Sequence, residues 1–473
     1  MPVEIDLLTA DRGSVAAPAG CGKTQLIADN LVLHGGPKAI LILTHTNAGA
    51  AALRLRLQRA GVPATAYRVA TIDGFSMRLI ATFPLRSNHD PEILQVFDPR
   101  NDYPAIREAA TRLLLAKDIS GPLRATYTRL LVDEYQDCSV VQHAIIAALS
   151  ADLPTTVLGD PMQAIFGFGG NQLVDWQDHV EAFFPAIGAL DTPWRWRNAG
   201  TEALGRWLLE VRDLLKRRQP VDLRAAPPEV EWVQLHASTA DQQRRTAAQT
   251  RVTGNEQTVL IISDARNVSG RHQLSSQTPG ATSVERVDLD DLVSFAQRFD
   301  LGAPDAVEQL INFAGGLITQ VGATGLIARV DTIRRGRARN QPTPAEAAAV
   351  EFARNPSVAT SLLLLHQLEE QSNARAFRPE VLRCLKSALR AVAAGSTTLQ
   401  DAVVRVRERN RFTSRPVSRR AVGSTLLLKG LEADVAVITH VDGMNAPNLY
   451  VALTRGARRL IICSATAVLM PPP

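Results

Sequence analysis

The chain has 473 residues, 45% of them hydrophobic and 21% charged, with a net charge of +5. That length suits two to four domains and the composition is that of a soluble globular protein; the mild basic balance suits a polyanionic partner and a solvated basic surface equally well. Cys21, Cys138, Cys384 and Cys463 stand singly, with no CxxC pair and no His at ligand spacing, which argues against a zinc site, an iron–sulfur site and a disulfide framework.

No apolar run reaches the roughly 18 residues that cross a bilayer. The start, MPVEIDLLTADRGS, is acidic where a signal peptide is basic and then apolar. A cytoplasmic chain with no membrane partner is expected. Residues 12–30 read as a loop, a Gly-rich turn and a helix. AILILT at 39–44 is a short apolar run, the pattern of a buried strand, and 46–60 read as a helix with an Ala/Leu face and an Arg face. Between Pro84 and Gly121 the segments SNHDP, FDPRNDYP and SGP interrupt the pattern, leaving an insertion with one helix at 105–117. RLLVD at 129–133 and TTVLG at 155–159 are further buried strands. Apolar strands alternating with helices predict an α/β fold with a parallel sheet covered on both faces. In such sheets ligands bind at the carboxyl ends of the strands.

A second region begins near Leu190, with strands near 230–236 and 258–263. Residues 275–415 read as mostly helical and carry the basic run DTIRRGRARN and the apolar stretch SLLLLHQLEE. After Arg420 the strand pattern returns, in STLLLKGLEADVAVITHV and NLYVALTRGARRLIICSA. The second α/β domain is therefore split by a helical insertion.

Ala17 to Thr24 reads APAGCGKT, the GxxxxGK[ST] pattern with Ala for its first Gly. Small residues at Ala19, Gly20, Cys21 and Gly22 let backbone N–H groups close around phosphates, and the following helix adds its positive end. Lys23 supplies a mobile cation, and Thr24 a hydroxyl for Mg²⁺. Downstream, Leu131 to Asp137 reads LVDEYQD, with acidic residues at a strand end. Asp133 is placed to hold Mg²⁺ with Thr24, and Glu134 to orient an attacking water as general base.

LVDEYQD resembles the VDE(A/F)QD motif of the UvrD/Rep/PcrA helicase family of superfamily 1, and further motifs follow in that family's order. Thr44 to Ala48 (THTNA) resembles TxxxA, and Ala70 to Phe75 (ATIDGF) resembles TFHSF with Asp-Gly for His-Ser. These imply contacts from Thr46 and Phe75 to single-stranded DNA. Leu158 to Phe168 (LGDPMQAIFGF) is similar to VGDxxQSIYxF, implying that Gln163 senses the γ-phosphate and that Phe166 and Phe168 stack on bases. Leu190 to Trp196 (LDTPWRW) resembles LxxNYRS. Counting from Leu190 puts Arg195 at the arginine finger and Trp194 at the residue that stacks on adenine, with Arg197 as the alternative finger. Thr425 to Glu432 (TLLLKGLE) resembles THxxKGLE, implying that Glu432 contacts the nucleotide sugar, and Tyr450 to Arg455 (YVALTR) resembles VALTRA, with Arg455 as second finger.

The resemblance implies two RecA-like P-loop NTPase domains, one from 1–84 and 126–189 and the other from 190–269 and 416–473. The insertions would be 85–125 and 270–415. It also implies ATP with Mg²⁺, a single-stranded or 3′-tailed duplex DNA partner, and 3′-to-5′ translocation. The family's adenine-reading Gln before the phosphate loop is missing. The chain is shorter than the long helicases, and small forms of this kind resemble the helicase subunit of bacterial anti-phage systems such as Gabija, which partners a nuclease of the OLD type. A DNA-sensing ATPase that switches a nuclease without sustained unwinding is the second reading. A P-loop kinase or GTPase lacks support, because neither a phospho-acceptor site nor an NKxD-like base reader is found.

Overall fold

The computed structural model describes residues 4–167, 172–395, 397–411 and 418–472. The chain forms two compact units: Met1–Val230 with Asp442–Arg458 and Ala467–Pro473, and Glu231–Val441 with Arg459–Thr466.

The first unit opens with β1 (Arg12–Ala16), α1 (Lys23–Val32), β2 (Ala39–Thr44), α2 (Asn47–Arg59), β3 (Tyr67–Thr71) and α3 (Ile72–Thr82). The insertion follows as α4 (Pro84–Ser87), α5 (Pro99–Leu115) and α6 (Ser120–Thr126). Then come β4 (Tyr127–Val132), α7 (Val140–Ser150), β5 (Thr155–Gly159), β6 (Ala186–Ala189), α8 (Trp194–Ala199), α9 (Glu202–Lys216) and the short β7 (Val221–Asp222). Strand order is β3-β2-β4-β5-β1-β6, and every pairing is parallel. The apolar runs of β2, β4 and β5 are buried on both faces, as a covered parallel sheet requires. Ile42, Leu131 and Leu158 pack with Ile27, Leu31, Leu53 and Leu57 on one face. Leu43, Val132 and Val157 pack with Ile80, Ile106, Leu113 and Ile145 on the other.

The second unit holds β8 (Val230–Gln234), α10 (Ala240–Ala248), β9 (Val259–Ile262), α11 (Val268–Gln277) and β10 (Ala281–Ser283). Seven helices follow: α12 (Asp290–Arg298), α13 (Ala306–Gly315), α14 (Ala323–Arg334), α15 (Pro344–Arg354), α16 (Val358–Glu369), α17 (Pro379–Ala393) and α18 (Leu399–Arg411). Last are β11 (Arg420–Gly423) and β12 (Ala433–Ile438); the chain then gives α19 (Ala446–Leu453) to the first unit. β13 (Gly456–Ser464) completes the second sheet, in the order β10-β11-β9-β12-β13-β8, and β14 (Val468–Leu469) pairs antiparallel with β7. The seven helices share their own core, in which the Phe295 ring stacks on Phe313 at 4.1 Å and on Phe299 at 4.7 Å. The α/β class with two six-stranded sheets and helical insertions agrees with the sequence reading.

Four local readings are corrected. Residues 12–16 are a strand, not a loop: they pair in parallel with β5 along their length and, from Ser14 on, with β6 on the other side. α5 starts at Pro99 rather than 105: the Asp98 side chain caps it by accepting from the Arg100 N–H at 3.1 Å, and Pro99 fits its first turn. Residues 446–453 are helical, with Asn445 as N-cap, and Thr425–Gly430 form turns rather than strand. Among the described residues no helix is long and apolar enough to cross a membrane. None of the four cysteines is in a disulfide, and all four are buried. The run Arg334, Arg335, Arg337 and Arg339 is exposed at the end of α14.

Two arginines join the helices of the second unit to its sheet. Arg375 donates to the Ala281 carbonyl and, at 3.0 and 3.1 Å, to those of Ser275 and Thr278. Arg378 grips the buried Glu285 through two hydrogen bonds of 2.8 Å, with Asp291 at 2.9 Å. Burial works against a charged Glu285, but His272 and Arg378 outweigh it and hold its carboxyl at about 2 against an ordinary 4.5. A depressed carboxyl stabilises the fold above its unfolded value and loses that contribution as pH falls through its folded one. Glu285→Gln is therefore expected to cost about 3 kcal/mol at neutral pH. In urea titrations the gap from the parent chain should close between pH 4.5 and 2; a gap independent of pH would contradict this.

Candidate nucleotide site

The phosphate loop lies between β1 and α1. Gly20 (φ +71°) and Gly22 (φ +88°) are left-handed, a region that side chains with Cβ avoid. Packing adds a second restriction: a Cβ on Gly20 would stand 2.5 Å from the Trp196 ring, and one on Gly22 would stand 3.0 Å from Trp194. Cys21 is 1% exposed, and burial pushes its thiol up to about 12, so it is a packing residue. The Ala19 N–H donates to the Tyr450 hydroxyl of α19 at 3.2 Å.

Lys23, first residue of α1, reaches the end of β4. Its Nζ lies 2.8 Å from Asp133 Oδ1 and donates to Glu134 Oε1. Burial alone would lower the Lys23 pKa, but the two carboxylates outweigh it and raise it. Asp133 is shifted up, by burial first, with Lys23 opposing. Glu134 has φ +56°, left-handed backbone that costs a non-Gly residue about 1–2 kcal/mol. Its side chain remains 34% exposed.

Asp160, at the end of β5, is wholly buried and joins several groups. Oδ1 accepts the Met162 N–H at 3.1 Å and the Arg212 guanidinium at 2.8 Å, while Oδ2 accepts from Gln163 at 3.1 Å. Gln136 bonds both Glu134 and the Asp160 backbone. Gln136, Asp160, Arg212 and Tyr450 were not assigned site roles from sequence. One signal was present: Arg212 follows Leu204, Leu208 and Val211 on the buried stripe of α9, where a cation needs a partner.

Arg195 and Arg455 meet at one residue. Arg195 donates to the Thr454 carbonyl at 2.6 Å, and Arg455 donates to the Thr454 hydroxyl at 3.0 Å and the Val451 carbonyl at 2.8 Å. The Arg195 backbone N–H bonds the Gly20 carbonyl at 3.0 Å, which fastens α8 to the phosphate loop. Arg197 instead pairs with Glu202 at 2.8 Å, its guanidinium 5.0 Å from the Trp194 ring. Trp194 is 39% exposed beside Gly22.

The expected DNA contacts divide. Thr46 is exposed and caps α2, accepting from the Gly49 N–H at 3.0 Å. Phe166 is half-buried, its ring 5.5 Å from His45, so two motifs adjoin. Phe75 is 3% exposed and packs in the core with Leu79 and Ile80, because it lies on the apolar face of α3. Its motif's Asp73 is held by Arg107 of α5 through two bonds of 2.7 Å. Phe168 lies outside the described residues. Glu432 is exposed at the entry to β12, in the second unit.

A hydroxyl on Thr24 and a carboxylate on Asp133, both beside Lys23, are hard oxygen donors of the kind Mg²⁺ takes when phosphates supply the rest. The donor set therefore fits that ion.

The model of the UvrD/REP helicase N-terminal domain matches residues 7–119 and 101–175. Two curated relatives, both ATP-dependent helicase/nuclease subunits, come from Lacticaseibacillus casei and Lacticaseibacillus paracasei; each is 40% identical over 75 residues, 14% of this chain. The match spans 6% of the length of those relatives. Two solved structures of Arterivirus nonstructural protein 10 (helicase), one of them with DNA, align over 96% of this chain and 61% and 59% of theirs. Their TM-scores are 0.32 at 8% and 10% identity, too low to bear on the site. The chain is UvrD-like over residues 7–175, which carry the glycine-rich loop and the acidic strand end and match the model of the UvrD/REP helicase N-terminal domain.

Proposed function

We propose that the chain is an ATP-driven translocase or helicase on single-stranded DNA. The observation that carries this is Lys23 held between Asp133 and Glu134 at the carboxyl ends of parallel strands. In this reading the loop amides and Lys23 bind the β- and γ-phosphates, and Glu134 takes the proton of the attacking water. Mg²⁺, held by Thr24 and Asp133, would supply charge neutralisation on those phosphates. Gln163 senses the γ-phosphate, and Arg195 and Arg455 stabilise charge on the transferring group. Trp194 stacks on the base, and Glu432 contacts the sugar. Two motor domains and two insertions divide the chain in this reading, and movement is 3′ to 5′.

Thr46, Phe166 and Phe168 form the sequence-tolerant grip on DNA; buried Phe75 supports that surface from beneath. The names of the two curated relatives, which join helicase to nuclease, support pairing with a nuclease, of the OLD type in this reading. Its setting would be the cytoplasm, in anti-phage defence or DNA repair.

The test is steady-state ATP hydrolysis by the purified chain with and without single-stranded DNA, beside Glu134→Gln. DNA should stimulate the parent chain. Glu134→Gln should lower turnover about 10²–10⁴-fold, the usual worth of a general base, and retain DNA binding. Normal turnover in Glu134→Gln would remove its role as base. Tight ATP binding without stimulated turnover would favour the DNA-sensing reading instead.

A further inference from the structure

Gln136 lies two residues beyond Glu134 and is 1% exposed. Its Oε1 accepts the Asp160 N–H at 3.0 Å. A backbone N–H can only donate, so this bond fixes which end of the amide is oxygen. The NH₂ end therefore faces Glu134 and donates to Oε2 at 2.6 Å. Gly159 leaves the room for this, since a Cβ there would stand 2.5 Å from Gln136 Oε1. Asp160 in turn holds Gln163 by its other carboxylate oxygen and is anchored by Arg212 from α9.

We propose that Gln136 is the positioning residue that aims the Glu134 carboxylate at the attacking water and ties it, through Asp160, to Gln163. The inference rests on the ATP-hydrolase reading above and deepens it. Glu134 is gripped at both oxygens, by Lys23 on Oε1 and by Gln136 on Oε2. The two grips differ in kind. Lys23 is a cation on a flexible stem, and phosphate oxygens compete with Glu134 for it. Gln136 is neutral, enclosed and bonded at its far end, so nucleotide does not draw it away. When Lys23 serves phosphate, Gln136 keeps the carboxylate of a residue with left-handed backbone on its line. A shift of the γ-phosphate sensor Gln163 reaches the base through Asp160 and Gln136, three hydrogen bonds in series.

The experiment compares full-length Gln136→Met and Gln136→Glu with the parent chain. Gln136→Met removes both bonds at similar length. Gln136→Glu keeps the shape and the acceptor for the Asp160 N–H, replaces the donor with an oxygen facing Glu134, and guards against simple loss of the fold. Both should lower kcat for ATP roughly 10²-fold, the effect of misplacing a reacting group by about 1 Å, with KM within about threefold. Unchanged kcat in either folded variant overturns the proposal, as does a change confined to KM or to melting temperature. Should the parent chain not hydrolyse ATP, the functional reading falls, and the link is read without turnover. Urea midpoints of Gln136→Met, Glu134→Ala and the double variant must then be non-additive, and additive midpoints overturn it.

Discussion

Lys23→Ala is expected to end ATP hydrolysis by the purified chain, lowering turnover by at least about 10²–10³-fold, the usual loss when one group that stabilises transition-state charge is removed. Two effects act together. Phosphate loses its mobile cation, and the carboxylates of Asp133 and Glu134, both in contact with Lys23 Nζ, lose the charge between them. Burial already disfavours charge on Asp133, so removing the lysine favours its protonated form, a weaker metal ligand. Turnover measured beside a melting curve separates loss of chemistry from loss of fold. Undiminished hydrolysis in a folded Lys23→Ala protein would remove the nucleotide site from the end of β4.

Trp196→Ala should be the most damaging single truncation in the first unit, costing about 3–5 kcal/mol. Trp196 is 1% exposed, its indole N–H donates to the Gly456 carbonyl at 2.9 Å, and its ring fills the space above Gly20. Truncation leaves a cavity and an unsatisfied buried carbonyl together. Calorimetry should show one transition lowered by several degrees and the KM for ATP raised, since the phosphate loop loses the wall behind it. A melting curve coincident with that of the parent chain would refute the packing argument.

Much of the first unit was legible in the sequence because buried parallel strands are apolar runs with abrupt ends. β2 and β5 fall on the predicted residues, and β4 within two of them. The phosphate loop and the acidic strand end were legible because few residue types do that chemistry. α19 was misread because LYVAL is buried on every side, so no helical period shows. Phe75 was assigned to a surface by its motif, yet the spacing Ile72, Phe75, Leu79, Ile80 is that of a buried helix face. The pairing of Asp160 with Arg212 could not be read at all: 52 residues separate them, and only the fold says that they meet. Gln136 was hidden differently, inside a motif whose attention falls on the acids before it.

The first unit is discontinuous: between Val230 and Asp442 the chain makes the whole of the other unit's helical segment, and only then α19. A ribosome releases these parts in order, so the sheet and phosphate loop emerge long before Tyr450, Thr454 and Gly456, the groups that bond Ala19, Arg195 and Trp196. The nascent loop must wait for partners encoded more than 200 residues downstream, and closing so large a loop carries an entropic cost that grows only slowly with its length. Vectorial synthesis thus gives this molecule a built-in delay, in which a chain stalled before residue 442 holds the lysine and the acids of the proposed nucleotide site but lacks the helix packed beside them.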